Sequence, residues 1–440
     1  MRFRRLLPRF LAAVILLVPT STALLAGDNV STERGNMKAV LNVVSKEIEK
    51  NFYDPNMKGL DWRGLTDQAK DRIDKAQSIA EMMRAVFILV EKLGDSHTRF
   101  LPPSRNITYL FGFNAKPIGE DIRVYEVKEK SAAAAAGIKL GDRILAVGGF
   151  RADRATYDLM MWDFKVIRNA PVLELKLQTD DESPRVVHLE AKKKVEPAIL
   201  DYTGQRGDIW DLIRELETQD EWHYQSFKDG IGYAQIRGFE YEGQDFFTSL
   251  IEKANAKKAL ILDLRSNGGG AEDTLKAFAG NFESEQVPMA DIKGRKKDEP
   301  LLIKPHRPLY NMPMFILIDS ETGSAAEMFA KHFQLRKKAV VIGDRSSGRV
   351  TRSMFFAERL GGYTIVPFGV QIGMGRVVFP DGTELEKHGV TPDVSCVPSG
   401  KEMREDKDVC LWKAVQLART QLGLPPDPDL REGTKNHVDH

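Results

Sequence analysis

Over residues 28–100 the apolar positions recur at helical spacing. In NMKAVLNVVSKEIEKNF they place Val40, Val43, Val44 and Ile48 on one face. SIAEMMRAVFILVEKL predicts a second helix, with Ser78 as a plausible N-cap and Glu81 three residues on, the spacing of a capping box. It runs into GDSHTRFLPP, where Pro102 and Pro103 stop regular structure. Across residues 105–198 the period shortens. DIRVYEVKEKS alternates as a strand, AAAAAGIKLGDRILAVGG reads as a short alanine helix, a glycine stop, a GD turn and an apolar strand, and APVLELKLQT and PRVVHLEAKK read as two more strands. Beyond residue 230 the strands become continuous apolar runs, as in KKALILDLRSNGGG, PMFILID and AVVIGD. They alternate with the helical segments DTLKAFAGNF and AAEMFAKHF, and IGYAQIRGF adds a strand ahead of them.

That alternation predicts an α/β core with a mainly parallel sheet and flanking helices. The expected organisation is a helical region over 28–104, a small β-rich domain over 105–198, the α/β core over 199–424 and a flexible tail over 425–440. Ligands of such sheets bind beyond the carboxyl ends of the strands. The NGGG loop and the segment SETGSAAEMFAKH both follow buried strands, so both are expected at that edge.

Composition alters this picture little. The chain has 440 residues, 42% hydrophobic and 29% charged, and a net charge of +1 that gives no reason to expect a nucleic-acid partner. Its start does matter. Arg2, Arg4, Arg5 and Arg9 precede an apolar run and small residues, the pattern of a secretory signal peptide over 1–26. The run falls short of the roughly 20 residues a membrane span needs and contains Pro19. Removing those four arginines, with no acid among them, takes the net charge from +1 to −3. An exported chain meets an oxidising periplasm or exterior, where Cys396 and Cys410, the only two cysteines, are able to bridge; the sequence does not say whether they approach closely enough.

The candidate chemistry centres on Ser324. A serine between a strand and a helix exposes its hydroxyl near backbone N–H groups, and Gly323, Ala325 and Ala326 leave room for a substrate carbonyl. A plain N-cap serine occupies the same kind of position. The glycines of NGGG let a second backbone come close without a side chain in the way, and the two loops together suit an oxyanion hole. No Cys/His cluster has zinc spacing, and neither a metal nor an organic cofactor is implied.

Read in order, LGDSHTRFLPP, AGIKLGDRILAVGG, KALILDLRSNGGG, GSAAEMFAK, VVIGDRSSGRV and PDGTELEKHGVTPDV resemble the C-terminal processing (tail-specific) serine peptidases over residues 93–398. The segment SAAAAAGIKLGDRILAVGG resembles a PDZ domain, whose peptide-binding loop would fall at Tyr109, Phe111, Gly112 and Phe113. The resemblance implies Ser324 as nucleophile, with an oxyanion hole from the N–H of Ala325 and of Gly268 or Gly269. Many members use a lysine 25 residues after the serine; here that position holds Arg349, which cannot serve as a base. The sequence instead resembles the tricorn-like branch, which implies His97 as base and Glu386 as its carboxylate, with Glu384 close enough to be an alternative. Lys331 is two helical turns from Ser324, too far to act. His332 and His388 match no motif, Asp95 is expected to cap locally, and Glu327 to support the helix start. Arg349 is left to pair with a carboxylate of the protein or of the substrate. The implied function is an exported serine endopeptidase acting on a protein or peptide, recognised by its C-terminus. Its rival is an inactive relative that binds peptides or hydrophobic ligands.

Overall fold

The computed structural model describes residues 22–103, 107–195, 223–227, 229–239, 244–360 and 366–427. Most of the expected signal peptide and most of the expected tail lie outside these residues. Among the described residues no helix is long and apolar enough to cross a membrane.

The core is a six-stranded sheet in the order His223–Phe227, Ile231–Gln235, Ala259–Asp263, Met314–Ile318, Ala339–Gly343, Val394–Ser395. The first pair is antiparallel and every other pair is parallel. Ala259–Asp263 and Met314–Ile318 are buried at every position, which is why both read as unbroken apolar runs. Successive residues still point to opposite faces. Leu260, Leu262, Ile316 and Ile318 join the core under the helices Gln244–Asn255, Glu272–Gly280 and Ala325–Leu335. Ala259, Ile261, Phe315 and Leu317 pack instead beneath the helix Val409–Gln421.

A second sheet is not visible in the sequence pattern. Five antiparallel strands form it: Arg99–Leu101, Val366–Val378, Val287–Gly294 and Asp298–Ile303 in order, with Thr351–Leu360 also on Val366–Val378. The amino-terminal helices Thr22–Asn51, Trp62–Lys75 and Ile79–Glu91 pack on it, burying Val40, Val44 and Ile48 against Phe100, Phe368, Val370 and Ile372. Ser78 accepts the Glu81 N–H at 3.2 Å, while the Glu81 carboxylate reaches back to the N–H of Gln77 at 2.7 Å, one residue earlier than a capping box requires. The short strand Arg99–Leu101, paired with Gly369–Gln371, sews this helical region to the carboxy-terminal half. His97 lies just before it.

Residues 107–195 form a small β-rich domain with its own core, in which the strands Phe113–Ile118, Asp121–Val127, Arg143–Val147, Val172–Gln178 and Arg185–Glu190 make one sheet. Its strand Phe113–Ile118 lies at the sheet edge. The Lys116 ammonium leaves this strand to reach Asp319 Oδ2 (2.6 Å), Glu321 Oε2 (2.7 Å) and Ser266 Oγ (3.1 Å), so the small domain grips both loops at the mouth of the parallel sheet.

Cys396 and Cys410 are joined, with Cα atoms 5.6 Å apart and a sequence separation of 14. The bridge ties the last strand of the parallel sheet to the helix that covers it. Closing a loop of this length stabilises by about 3 kcal/mol through the unfolded chain. Cys396→Ala/Cys410→Ala should therefore unfold at a distinctly lower urea concentration than the oxidised protein, and dithiothreitol should lower the wild-type midpoint similarly. Equal midpoints would show that the bridge adds nothing.

Candidate active site

Ser324 opens the helix Ala325–Leu335 with φ 50° and ψ −119°. A non-glycine residue held there stores about 1–3 kcal/mol of strain, which the surrounding contacts must hold in place. They are numerous. Asp319, directly after the strand, accepts the N–H groups of Glu321 (3.0 Å), Thr322 (3.1 Å) and Ser266 (2.9 Å). Gly323 N–H donates to the Asn267 carbonyl at 2.8 Å, and Ser324 N–H to the Arg349 carbonyl at 2.9 Å. The loop carrying the serine is thus stitched to the glycine loop and to the Ser346–Val350 segment.

Gly269 and Gly270 adopt φ of 115° and 137°, open only to glycine. A β-carbon on Gly269 would lie 2.6 Å from that of Ser324 and 3.0 Å from the Ala325 nitrogen, so the two loops touch. Their N–H groups differ in availability. Gly269 N–H donates to the Asn267 side-chain oxygen at 2.9 Å. Among the described residues, neither Gly268 N–H nor Ala325 N–H has a hydrogen-bond acceptor. Of the two glycines expected to be interchangeable, Gly269 is therefore committed and Gly268 is not.

His97 and Glu386 come together from opposite ends of the chain through a residue that sequence reasoning missed. Glu386 accepts Ser96 N–H on Oε1 (2.8 Å) and the Ser96 hydroxyl on Oε2 (2.8 Å), and Ser96 Oγ stands 3.0 Å from His97 Nδ1. Glu386 Oε2 also accepts Val350 N–H at 3.0 Å. One segment thus serves both halves of the site: Arg349 holds Ser324 by its carbonyl and Val350 holds Glu386 by its N–H. Among the described residues no hydrogen bond joins Ser324 Oγ to His97. Burial pushes the His97 pKa down to about 4; Arg349 acts in the same direction and Glu386 against it.

The other candidates sort by what they touch. Glu384 pairs with Arg376 at 2.8 Å on the outside and faces neither Ser96 nor His97. Lys331 pairs with Asp381 at 3.6 Å. His332 lies buried against Glu283, 3.0 Å away, and His388 is exposed. Asp95 closes the turn before the sewing strand, accepting Thr98 Oγ1 at 2.8 Å and Thr351 Oγ1 at 3.2 Å. Glu327 does more than start a helix. Fully buried, it accepts from Ser324 N–H, Ser346 Oγ, Ser347 Oγ, Gly348 N–H and Arg349 N–H. In the small domain Phe111 and Phe113 are buried in its core, Tyr109 packs against that core, and the Gly112 carbonyl accepts Lys128 N–H (2.9 Å) and Ser131 Oγ (3.2 Å).

The Peptidase family S41 model matches residues 230–396, and the Tricorn protease C1 domain model residues 37–84. The chain is 24% identical over 344 residues to carboxyl-terminal-processing peptidase 1, chloroplastic, of Arabidopsis thaliana, covering 73% of this chain and 64% of that protein. It is 27% identical over 355 residues to the tail-specific protease of Haemophilus influenzae, covering 74% and 47% respectively. It thus spans less than two thirds of the length of each of these two relatives. The crystal structure of mature CPAF shares the fold, with a TM-score of 0.66 at 13% identity over 93% of this chain and 100% of that one. Fold and site define an α/β protein with a serine presented at the mouth of a parallel sheet. Ser324 and the glycine loop lie within residues 230–396, the stretch that is similar to peptidase family S41.

Proposed function

We propose that this chain is an exported serine endopeptidase of the C-terminal processing type, with Ser324 as nucleophile and His97 as base. One observation carries the reading: a serine on a strained strand-to-helix turn is wired, through residues 349 and 350, to a histidine whose Nδ1 faces a hydroxyl bound to a carboxylate. With the Ser96 proton donated to Glu386, Ser96 Oγ accepts from His97 Nδ1–H. That fixes the tautomer and leaves the Nε2 lone pair for the serine proton. Ser324 Oγ then attacks the peptide carbonyl, and the N–H groups of Gly268 and Ala325 receive the oxyanion. The imidazolium, stabilised through Ser96 by Glu386, gives its proton to the leaving amine, and water resolves the acyl-enzyme by the same route. Closure of the gap between Ser324 Oγ and His97 accompanies substrate binding, since such contacts tighten only in the complex.

Export rests on the amino-terminal pattern and suits the disulfide, a bond of oxidising compartments. The small domain is read as PDZ-like; its edge strand Phe113–Ile118 would take a peptide as an added strand. A fluorophosphonate probe tests the whole reading. It should label the wild type and leave Ser324→Ala unlabelled, whereas an unlabelled wild type would favour a binding protein.

The pH profile is a second test. The base must be neutral, so activity is present above the His97 pKa and lost as pH falls through about 4. kcat/KM on a peptide substrate should stay level from pH 8 down to about 5.5. A histidine of ordinary pKa would already be half protonated near 6.5. Stability moves in the same direction, because the unfolded chain takes up the proton near 6.5 while the folded site refuses it until about 4. An inflection of kcat/KM at 6.5 would contradict a base whose pKa its surroundings hold low.

A further inference from the structure

Arg349 occupies the position where many relatives of this type are expected to carry a lysine, and its side chain is unspent. Its backbone is fully used: the N–H donates to Glu327 Oε2 at 2.9 Å and the carbonyl accepts Ser324 N–H at 2.9 Å. Among the described residues its guanidinium makes no hydrogen bond and no ion pair within 4.0 Å. Other half-buried arginines do pair, Arg265 with Asp408 at 2.7 Å and Arg352 with Glu272 at 2.7 Å. Buried Glu327 feels the Arg349 charge, but its oxygens are taken by five uncharged donors. The guanidinium also lies at the reacting centre. A β-carbon on Gly323 would be 3.5 Å from Arg349 Nη2, 3.1 Å from Ser347 Oγ and 3.2 Å from the Gly268 carbonyl, and the Arg349 charge bears on His97. A half-buried cation with no direct ion pair is costly, even with the Glu327 charge acting on it at longer range, and a planar fork of N–H donors matches a carboxylate.

We propose that Arg349 is a specificity-determining residue that binds a substrate carboxylate within one or two residues of the scissile bond. The carboxylate is either the C-terminal α-carboxylate of a short leaving segment or the side chain of an Asp or Glu beside the bond. This rests on the reading of Ser324 as nucleophile. It makes the enzyme selective for acid at the bond itself, separately from any peptide held by the small domain.

The full chain is assayed on matched internally quenched peptides that share one cleavage sequence. One pair ends one or two residues past the bond as free acid or as carboxamide. The other pair is amidated and carries Glu or Gln beside the bond. Acid should exceed its neutral partner by about 10- to 100-fold in kcat/KM in one pair, which identifies the source of the carboxylate, and Arg349→Gln should bring that ratio close to one. Ratios of one in both wild-type pairs would overturn the proposal while leaving the peptidase intact. So would an Arg349→Gln that slows acid and neutral peptides equally, since the guanidinium would then serve a charge common to all substrates. If Arg349→Gln does not fold, the wild-type ratios decide, together with inhibition by short product acids set against their amides. Failure to cut any peptide, with no fluorophosphonate labelling, removes the nucleophile and this inference with it.

Discussion

Replacing His97 by alanine should lower kcat/KM by about 10⁴- to 10⁶-fold with the fold intact. Ser324→Ala should do the same, and the double variant should be no worse than either alone. In the proposed mechanism the two groups act as one unit. Without the base, Ser324 is an ordinary alcohol. Without the nucleophile, the base has no proton to take, and the residual rate comes from the oxyanion donors and binding. The backbone around His97 does not depend on its ring. Thr98 N–H reaches the Asp95 carbonyl at 3.3 Å, Thr98 Oγ1 reaches Asp95 Oδ1 at 2.8 Å, and Phe100 is buried in the helical core. Circular dichroism and the thermal midpoint of His97→Ala should therefore match the wild type closely. Losses that multiply in the double variant, or a fall of only tenfold in His97→Ala, would mean that another group takes the serine proton.

The parts of this site that the sequence makes legible are those that need a particular residue at a particular turn. A glycine loop after a buried run and a serine between strand and helix are local statements, and the structure sets them against each other through Gly269 and Ser324. What stays hidden depends on distant partners. Ser96 looks like a linker residue in GDSHT; only the return of Glu386 from almost three hundred positions away makes it the bridge to His97. The choice between Glu386 and Glu384 is likewise a matter of which side of one turn faces inward. The antiparallel sheet escaped for another reason. Thr351–Leu360 alternates poorly between buried and open positions, so no period of two marks it. Yet that sheet, through Arg99–Leu101, is what sews the segment carrying Ser96 and His97 to the carboxy-terminal half that carries Glu386.

Glu327→Ala should cost about 3–5 kcal/mol of stability and most of the activity. Its carboxylate is fully buried, and burial raises its pKa, while hydrogen bonds from Ser346, Gly348 and Arg349 pull the other way. Those bonds, 2.5 Å from Ser346 Oγ, 2.8 Å from Gly348 N–H and 2.9 Å from Arg349 N–H, hold the segment that in turn holds Ser324 and Glu386. Alanine leaves five donors without their shared acceptor and frees that segment. Glutamine fits the space, but only one of its two arms accepts, and its NH₂ would point at groups that also donate. The urea midpoints should therefore fall in the order wild type, Glu327→Gln, Glu327→Ala. kcat should fall more than KM rises in both variants, because the lost element aligns nucleophile and base rather than the peptide. A Glu327→Ala protein unfolding at the wild-type midpoint would show that the Ser346–Val350 segment is held by something else, and the wiring between Ser324 and Glu386 would need another origin.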